Sequence, residues 1–245
     1  MKSAKNIFQR SEAPLNVAVL VLDDCNTLSF AAGVDPMRAA NRLGPGRPFD
    51  WSYVTATEQP ARLTSGLAVP GTPIARLEGC DLMLVIAGFN LDRHGTPALL
   101  ASLRRLAARG TTIAGIDGGP WLLAKAGLLD GYQATIQWEH LDGFSEMFPR
   151  VDVMQDIFVV DRDRFTSAGS TIGMDMMLNL IRQQHGYDLA AAVAEEHVYS
   201  NIREAGQNQR MALADRLSTV NAHVLSAVEL MRNNLEDPLQ TGMIA

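Results

Sequence analysis

The sequence predicts an α/β fold: an open, mostly parallel sheet flanked by helices. Three observations carry this expectation. Short runs rich in Val, Ile and Leu alternate with segments of helical apolar spacing. The runs at 16–22 (NVAVLVL) and 82–87 (LMLVIA) are almost wholly apolar, as strands buried on both faces must be. The chain has 245 residues, 47% of them hydrophobic and 20% charged, enough to bury a core that needs no covalent staples.

The elements follow in order. The strand at 16–22 leads through a polar turn, 23–27, to a helix with Leu28, Ala31, Ala32, Met37, Ala40 and Leu43 on its apolar side. Residues 51–57 alternate as a strand does, and 67–73 read as a hairpin arm. After the strand at 82–87, residues 97–109 form a helix with Pro97 in its first turn and Gly110 as its stop. The third core strand, 111–116, runs into a turn and a helix that ends at Gly127. A strand at 134–138, a short helix around 139–147, a strand pair at 151–160 and 165–167, and helices at 171–185 and 189–199 complete the domain. Residues 1–15 read as an N-terminal extension, 16–201 as one α/β domain, and 202–245 as a linker followed by the start of a further, truncated domain. Within that tail, 203–216 are polar and 222–235 form an amphipathic helix.

Composition narrows the function. The two cysteines, Cys25 and Cys80, have no partner at metal-ligand spacing, which argues for a reducing compartment and against a zinc or disulfide framework. The N-terminus has no apolar core of a signal peptide, and no run reaches the ~20 residues a bilayer span requires. A cytoplasmic protein without membrane contact is expected, with no cofactor and no metal. A net charge of −6 makes this chain by itself a poor ligand for nucleic acid.

The segment 114–121, AGIDGGPW, carries the chemical question. A buried strand stops on Asp117 and turns through Gly118 and Gly119 into a helix, where backbone N–H groups favour negative charge. This is the layout of a nucleophile elbow with an acid in place of Ser or Cys. Asp117 can be an N-cap, a covalent nucleophile, or a non-catalytic acid that faces a pocket and pairs with a cation. Trp121 and the run Trp138-Glu139-His140 favour the last, since an aromatic face beside a carboxylate suits a guanidinium or quaternary ammonium group. Each tryptophan also reads as core, and His140 has no Ser or Cys partner in view. Ser170, in the turn 166–171, can offer N–H groups to a carboxylate or cap the next helix together with Thr171.

The elbow with WLLAKAGLLDGYQATIQWEH (121–140), together with LSFAAGVDPMRAANRL (28–43), FTSAGSTIGMDMMLNLIRQQHG (165–186) and the exit at 198–216, resembles a known domain. It is similar to the class I glutamine-amidotransferase-like (ThiJ/PfpI-like) sensor domain at the N-terminus of many AraC-family transcription regulators. The last residues, 224–245, resemble the linker helix and first residues of the helix-turn-helix DNA-binding half of such regulators. The resemblance implies a flavodoxin-like fold, a homodimer, and DNA contact only through a C-terminal domain absent here. It also marks two departures: the enzymes' elbow Cys is Asp117, and the His of their His-Trp pair is Gln137. The acid flanking the nucleophile is matched to Asp35. With nucleophile and base replaced, no catalytic residue is expected. Regulators of this branch sense small cationic or zwitterionic effectors such as arginine, glycine betaine or carnitine. Asp35, Asp117, Gly118, Trp121, Gln137, Trp138, Glu139 and Ser170 are the residues expected to bind one, although Asp35 reads equally as a helix-surface acid beside Pro36 and Glu139 as an acid at the start of the next helix. The rival expectation is a ThiJ/PfpI-type hydrolase or hydratase that uses Asp117. The apolar run 172–181 is the one sequence feature that suggests a dimer surface, and it reads as core as well.

Overall fold

The computed structural model describes residues 7, 13–209 and 221–233. The chain divides into two units, Met1–Gln209 and Arg210–Ala245.

The first unit is built on a seven-stranded sheet. Its strands are β1 (Leu15–Val21), β2 (Phe49–Thr55), β5 (Thr72–Pro73), β6 (Leu82–Ala87), β7 (Thr112–Asp117), β10 (Phe158–Asp161) and β11 (Arg164–Ser167). They lie in the order β10-β11-β7-β6-β1-β2-β5. All neighbours pair in parallel except β10 and β11, which form a hairpin. Two minor pairs stand apart: β3 (Ala61–Arg62) with β4 (Ala68–Val69), antiparallel, and β8 (Gln133–Ala134) with β9 (Asp152–Val153), parallel.

Helices cover both faces, which is why β1 and β6 carry apolar side chains on both sides. On one face pack α1 (Thr27–Leu43), α6 (Ile172–His185) and α7 (Tyr187–Glu196), with Val19, Leu84, Ile116 and Met177 among the core between them and the sheet. On the other lie α3 (Pro97–Ala108), α4 (Gly119–Lys125) and α5 (Leu141–Met147), over Leu20, Val85, Ile113 and Leu123. The short α2 (Leu91–His94) follows β6. In the second unit, the described residues include α8 (Ala222–Asn233), which begins after Asn221, whose side chain accepts from the N–H of His223 at 3.0 Å.

The long, strongly apolar elements fall where periodicity predicts them, and the differences have local causes. The strand expected at 134–138 is only two residues long, because Thr135 is drawn aside by Thr166 and Asp156 and residues 138–140 close into a 3-10 turn. The strand expected at 151–160 is two strands, one paired with β8 and one with β11. Of the arm at 67–73, only Ala68–Val69 closes the hairpin, while Thr72–Pro73 becomes a parallel edge strand beside β2. The apolar run 172–181 is core: α6 is sandwiched between α1, α7 and the sheet, so it offers no dimer surface. Residues 202–209, expected to begin a linker, belong to the first unit and hydrogen-bond into it. The remainder of the expected linker, 210–216, and the tail from 234 lie outside the described residues.

Candidate functional site

Loops at the carboxyl ends of β1, β7 and β11 meet around Asp117. In open α/β sheets this is the edge at which ligands bind. Asp117 is the last residue of β7 and has φ 64°, a left-handed conformation that Asp tolerates better than most residues. Sequence reasoning placed the sharp turn on the glycines, but the acid itself makes it. The glycines serve close approach: a Cβ on Gly118 would lie 2.6 Å from Leu91 and 2.8 Å from the Gly88 carbonyl oxygen.

Asp117 is not an N-cap, since α4 starts from Gly118 with no side-chain capping bond. Its carboxylate crosses to α1 instead. Oδ2 accepts from Asn26 Nδ2 and, at 2.8 Å, from Ser29 Oγ. Asn26 is the N-cap of α1, and its Oδ1 accepts from the Ser29 N–H at 2.7 Å. Ser29 Oγ in turn accepts from the backbone N–H of Ser170 at 2.7 Å. Ser170 has φ 54°, and the preceding Gly169 has φ 85°, with its missing Cβ position 2.5 Å from Asp117 Cβ. The capping expected from Ser170 or Thr171 is absent, because α6 has no side-chain cap bond.

Burial pushes the Asp117 carboxyl above the usual carboxylate range, against the pull of Ser29, Asn26 and the nearby His140. Among the described residues no Lys, Arg or His forms an ion pair with it. Next to it, burial and the Asp117 charge push the Cys25 thiol up to about 12, so Cys25 is a protonated core group that donates weakly to the Asn26 carbonyl. No thiolate replaces the one this elbow lacks.

The rim is apolar and aromatic. Phe89 is 60% exposed and Leu28 50%. The Phe89 N–H donates to the Asp24 carbonyl at 3.3 Å, and the β3–β4 hairpin leans on the start of α1 through Thr64 N–H to Cys25 O (3.0 Å) and Thr27 to Ser65 (2.6 Å). Asp24, whose carboxyl is held low chiefly by Asn90, also meets His94 Nε2 at 3.2 Å.

The expected site residues separate into two groups. Asp117, Gly118 and Ser170 come together, with Gln137 half-buried and Trp138 and Glu139 exposed in the 3-10 turn that carries His140 toward Asp117. Asp35 does not join them. It lies six residues beyond Ser29, roughly 9 Å along the helix axis, and pairs with Arg38, which with Arg42 holds Glu196 of α7. The acid that the resemblance matched to Asp35 is therefore part of an interhelical charge chain. Trp121 packs edge-on against Phe148 (5.2 Å) and against Phe144 (6.3 Å) on the opposite side of the sheet from α1. Sequence reasoning missed Asn26, Ser29 and Phe89. The pattern Asn-x-x-Ser directly after a strand is an N-cap signature and places the start of α1 at this edge.

A family model described as DJ-1/PfpI family matches residues 16–183. The chain belongs to the DJ-1/PfpI family. Its curated relatives combine this domain with more chain. It is 39% identical over 227 residues to the HTH-type transcriptional regulator CdhR of Pseudomonas aeruginosa, covering 92% of this chain and 67% of that protein. It is 34% identical over 243 residues to the HTH-type regulator GbdR of the same organism, covering 99% and 66%. The chain thus spans about two thirds of the length of these relatives. Among solved structures, an AraC family transcriptional regulator from Pseudomonas putida superposes with TM-score 0.66 at 30% identity, over 75% of this chain and all of that one. The DJ-1/PfpI domain described here is thus one whose relatives include HTH-type, AraC-type regulators.

Proposed function

We propose that this DJ-1/PfpI domain is the non-catalytic effector sensor of an AraC-type transcription regulator, and that the Asp117 edge binds a small cationic or zwitterionic metabolite of the arginine, betaine or carnitine kind. The observation that carries the reading is a half-buried carboxylate whose hydrogen-bond donors, Asn26 and Ser29, are neutral and which forms no ion pair among the described residues. A buried charge ordinarily has a counter-charge or loses its ionisation. A cationic ligand supplies that counter-charge, and Phe89 and Trp138 offer rings for cation–π contact on the rim. Ser170, exposed at the neighbouring turn, offers its hydroxyl to a zwitterion's carboxylate. The absence of an elbow thiol, with Cys25 held protonated, supports a sensor over the superfamily's cysteine chemistry.

DNA contact belongs, in this reading, to a part of the regulator beyond this domain, because a chain of net charge −6 repels phosphate. Effector occupancy then biases the arrangement of paired sensor domains. A cytoplasmic setting fits, and among the described residues no helix is long and apolar enough to cross a membrane.

A thermal-shift screen tests the proposal. L-Arginine, glycine betaine or L-carnitine at 100 times its dissociation constant should stabilise the chain by about 2.7 kcal/mol. Asp117→Ala should abolish that shift. No shift with any cationic metabolite, or turnover of one, contradicts the reading.

A further inference from the structure

Residues 199–209 leave the domain as a strap whose attachments land beside the loops of the candidate site. At the start of the strap, Arg203 closes on the first turn of α6. Its N–H donates to Asp175 Oδ1 (2.8 Å), its Nε to Asp175 Oδ2 (2.9 Å), and its Nη2 to Thr171 Oγ1 (2.9 Å). Thr171 directly follows Gly169 and Ser170, the residues seated against Asp117 and Ser29. At the end of the strap, the Gln207 carbonyl accepts from the Ile157 N–H (2.9 Å) and Asn208 bridges to Asp156. The Ile157 carbonyl accepts in turn from Ala168, one residue before Gly169. Gln209 Nε2 donates to Thr135 Oγ1 (2.9 Å), to the Ile136 carbonyl (2.8 Å) and to the Asp156 carbonyl (3.0 Å). Ile136 directly precedes Gln137 and Trp138.

A strap needed only to close the fold could be held anywhere along the domain surface. This one is held next to Ser170 at one end and next to Gln137 at the other. Between its first residues and α7 lies a cavity of about 580 Å³, bounded by Tyr187, Glu195, Val198 and Ile202 among others. Tyr199, Ile202 and Ala205 pack against the core on the inner side of the strap, so a shift of the strap changes core contacts as well as its hydrogen bonds.

We propose that Arg203 and Gln209 are positioning residues of the effector site, and that residues 199–209 are the element through which the state of that site reaches the rest of the chain. The proposal rests on reading the Asp117 edge as the effector site. A change at Ser170 or Trp138 alters the footing of Arg203 or Gln209. By thermodynamic reciprocity, loosening the strap alters the site. The coupling is a property of the domain itself and is measurable without any effector.

The test uses the whole 245-residue chain labelled with 5-fluorotryptophan, the Trp138 resonance being assigned through Trp138→Phe. Gln209→Ala should move the fluorine resonance of Trp138 and leave that of Trp51, in β2, in place. Glu58→Gln, which removes only an exposed pair with Arg76 far from the strap in sequence, should move neither. In the opposite direction, Asp117→Ala should speed hydrogen exchange at the Arg203 and Ile157 amides by about fivefold or more, the lower end of usual coupling. Ser29→Ala serves if that variant does not fold. An unmoved Trp138 resonance together with unchanged exchange overturns the proposal. Failure of every metabolite to bind tells against the effector reading alone, since neither of these measurements uses a ligand.

Discussion

Asp117, half-buried at the end of β7, and Asp175, fully buried in α6, are two carboxylates on the same side of the sheet, and desolvation pushes both above the ordinary range. Their partners differ. Asp175, fully buried, is surrounded by the guanidinium and N–H of Arg203 and the hydroxyl of Tyr199, a complete set that includes a full positive charge. Asp117 has an amide and a hydroxyl, and no ion pair among the described residues. Asp175 is finished by the fold, as structural charges are. Asp117 is held in place and left electrically incomplete, as a group awaiting a cation is. The same contrast separates a closed latch from an open site on the two sides of the turn at Gly169 and Ser170.

Changes that break this comparison should rank by how much buried charge they expose. Arg203→Ala leaves Asp175 without its cation and should cost about 3–5 kcal/mol in chemical denaturation, the usual penalty for removing one partner of a buried pair. Gly169→Ala should come next. A methyl group there meets Asp117 in a left-handed backbone, for a loss of about 1–3 kcal/mol together with loss of effector binding in calorimetry.

Asp117→Asn separates the two carboxylates by pH. A raised native pKa means that the native state holds the proton more tightly than the unfolded chain. The stability from that proton is therefore full below the ordinary carboxylate pKa and is lost as pH rises through the native value. Asn stays neutral throughout. The melting temperature of the variant relative to the original chain should thus rise with pH across that window, while Asp175 contributes equally to both. A difference that is flat or falls with pH would show that Asp117 is not proton-strained. Asp35→Ala should matter least. Its pair with Arg38 is about half exposed, so stability should change by less than about 1 kcal/mol and effector affinity not at all.

Much of this was legible in the sequence, and what was not has physical reasons. The buried strands and the elbow announce themselves, because burial on both faces forces apolar runs and a strand ending on an acid before two glycines is rare local chemistry. That Asp117 reaches Asn26 and Ser29, some ninety residues earlier, depends on the sheet order, which periodicity does not encode. Asp35 was drawn in by a motif match along one helix, yet a helix carries residues six apart to different heights and different neighbours. Trp121 follows Asp117 by four residues, but α4 takes it to the other face of the sheet. The polar composition of 203–209 suggested a free linker, whereas Arg203 and Gln209 spend that polarity on buried partners.

Whether Asp117 recognises positive charge is tested by paired ligands of equal shape. Isothermal titration of the chain with glycine betaine against 3,3-dimethylbutanoate, and with L-arginine against L-citrulline, changes the charge and little else. For the ligand that binds, the counterpart lacking the positive group should bind at least about tenfold more weakly, a difference of about 1.4 kcal/mol, and Asp117→Asn should remove the preference. Equal affinity within both pairs, or a preference that survives Asp117→Asn, would contradict it.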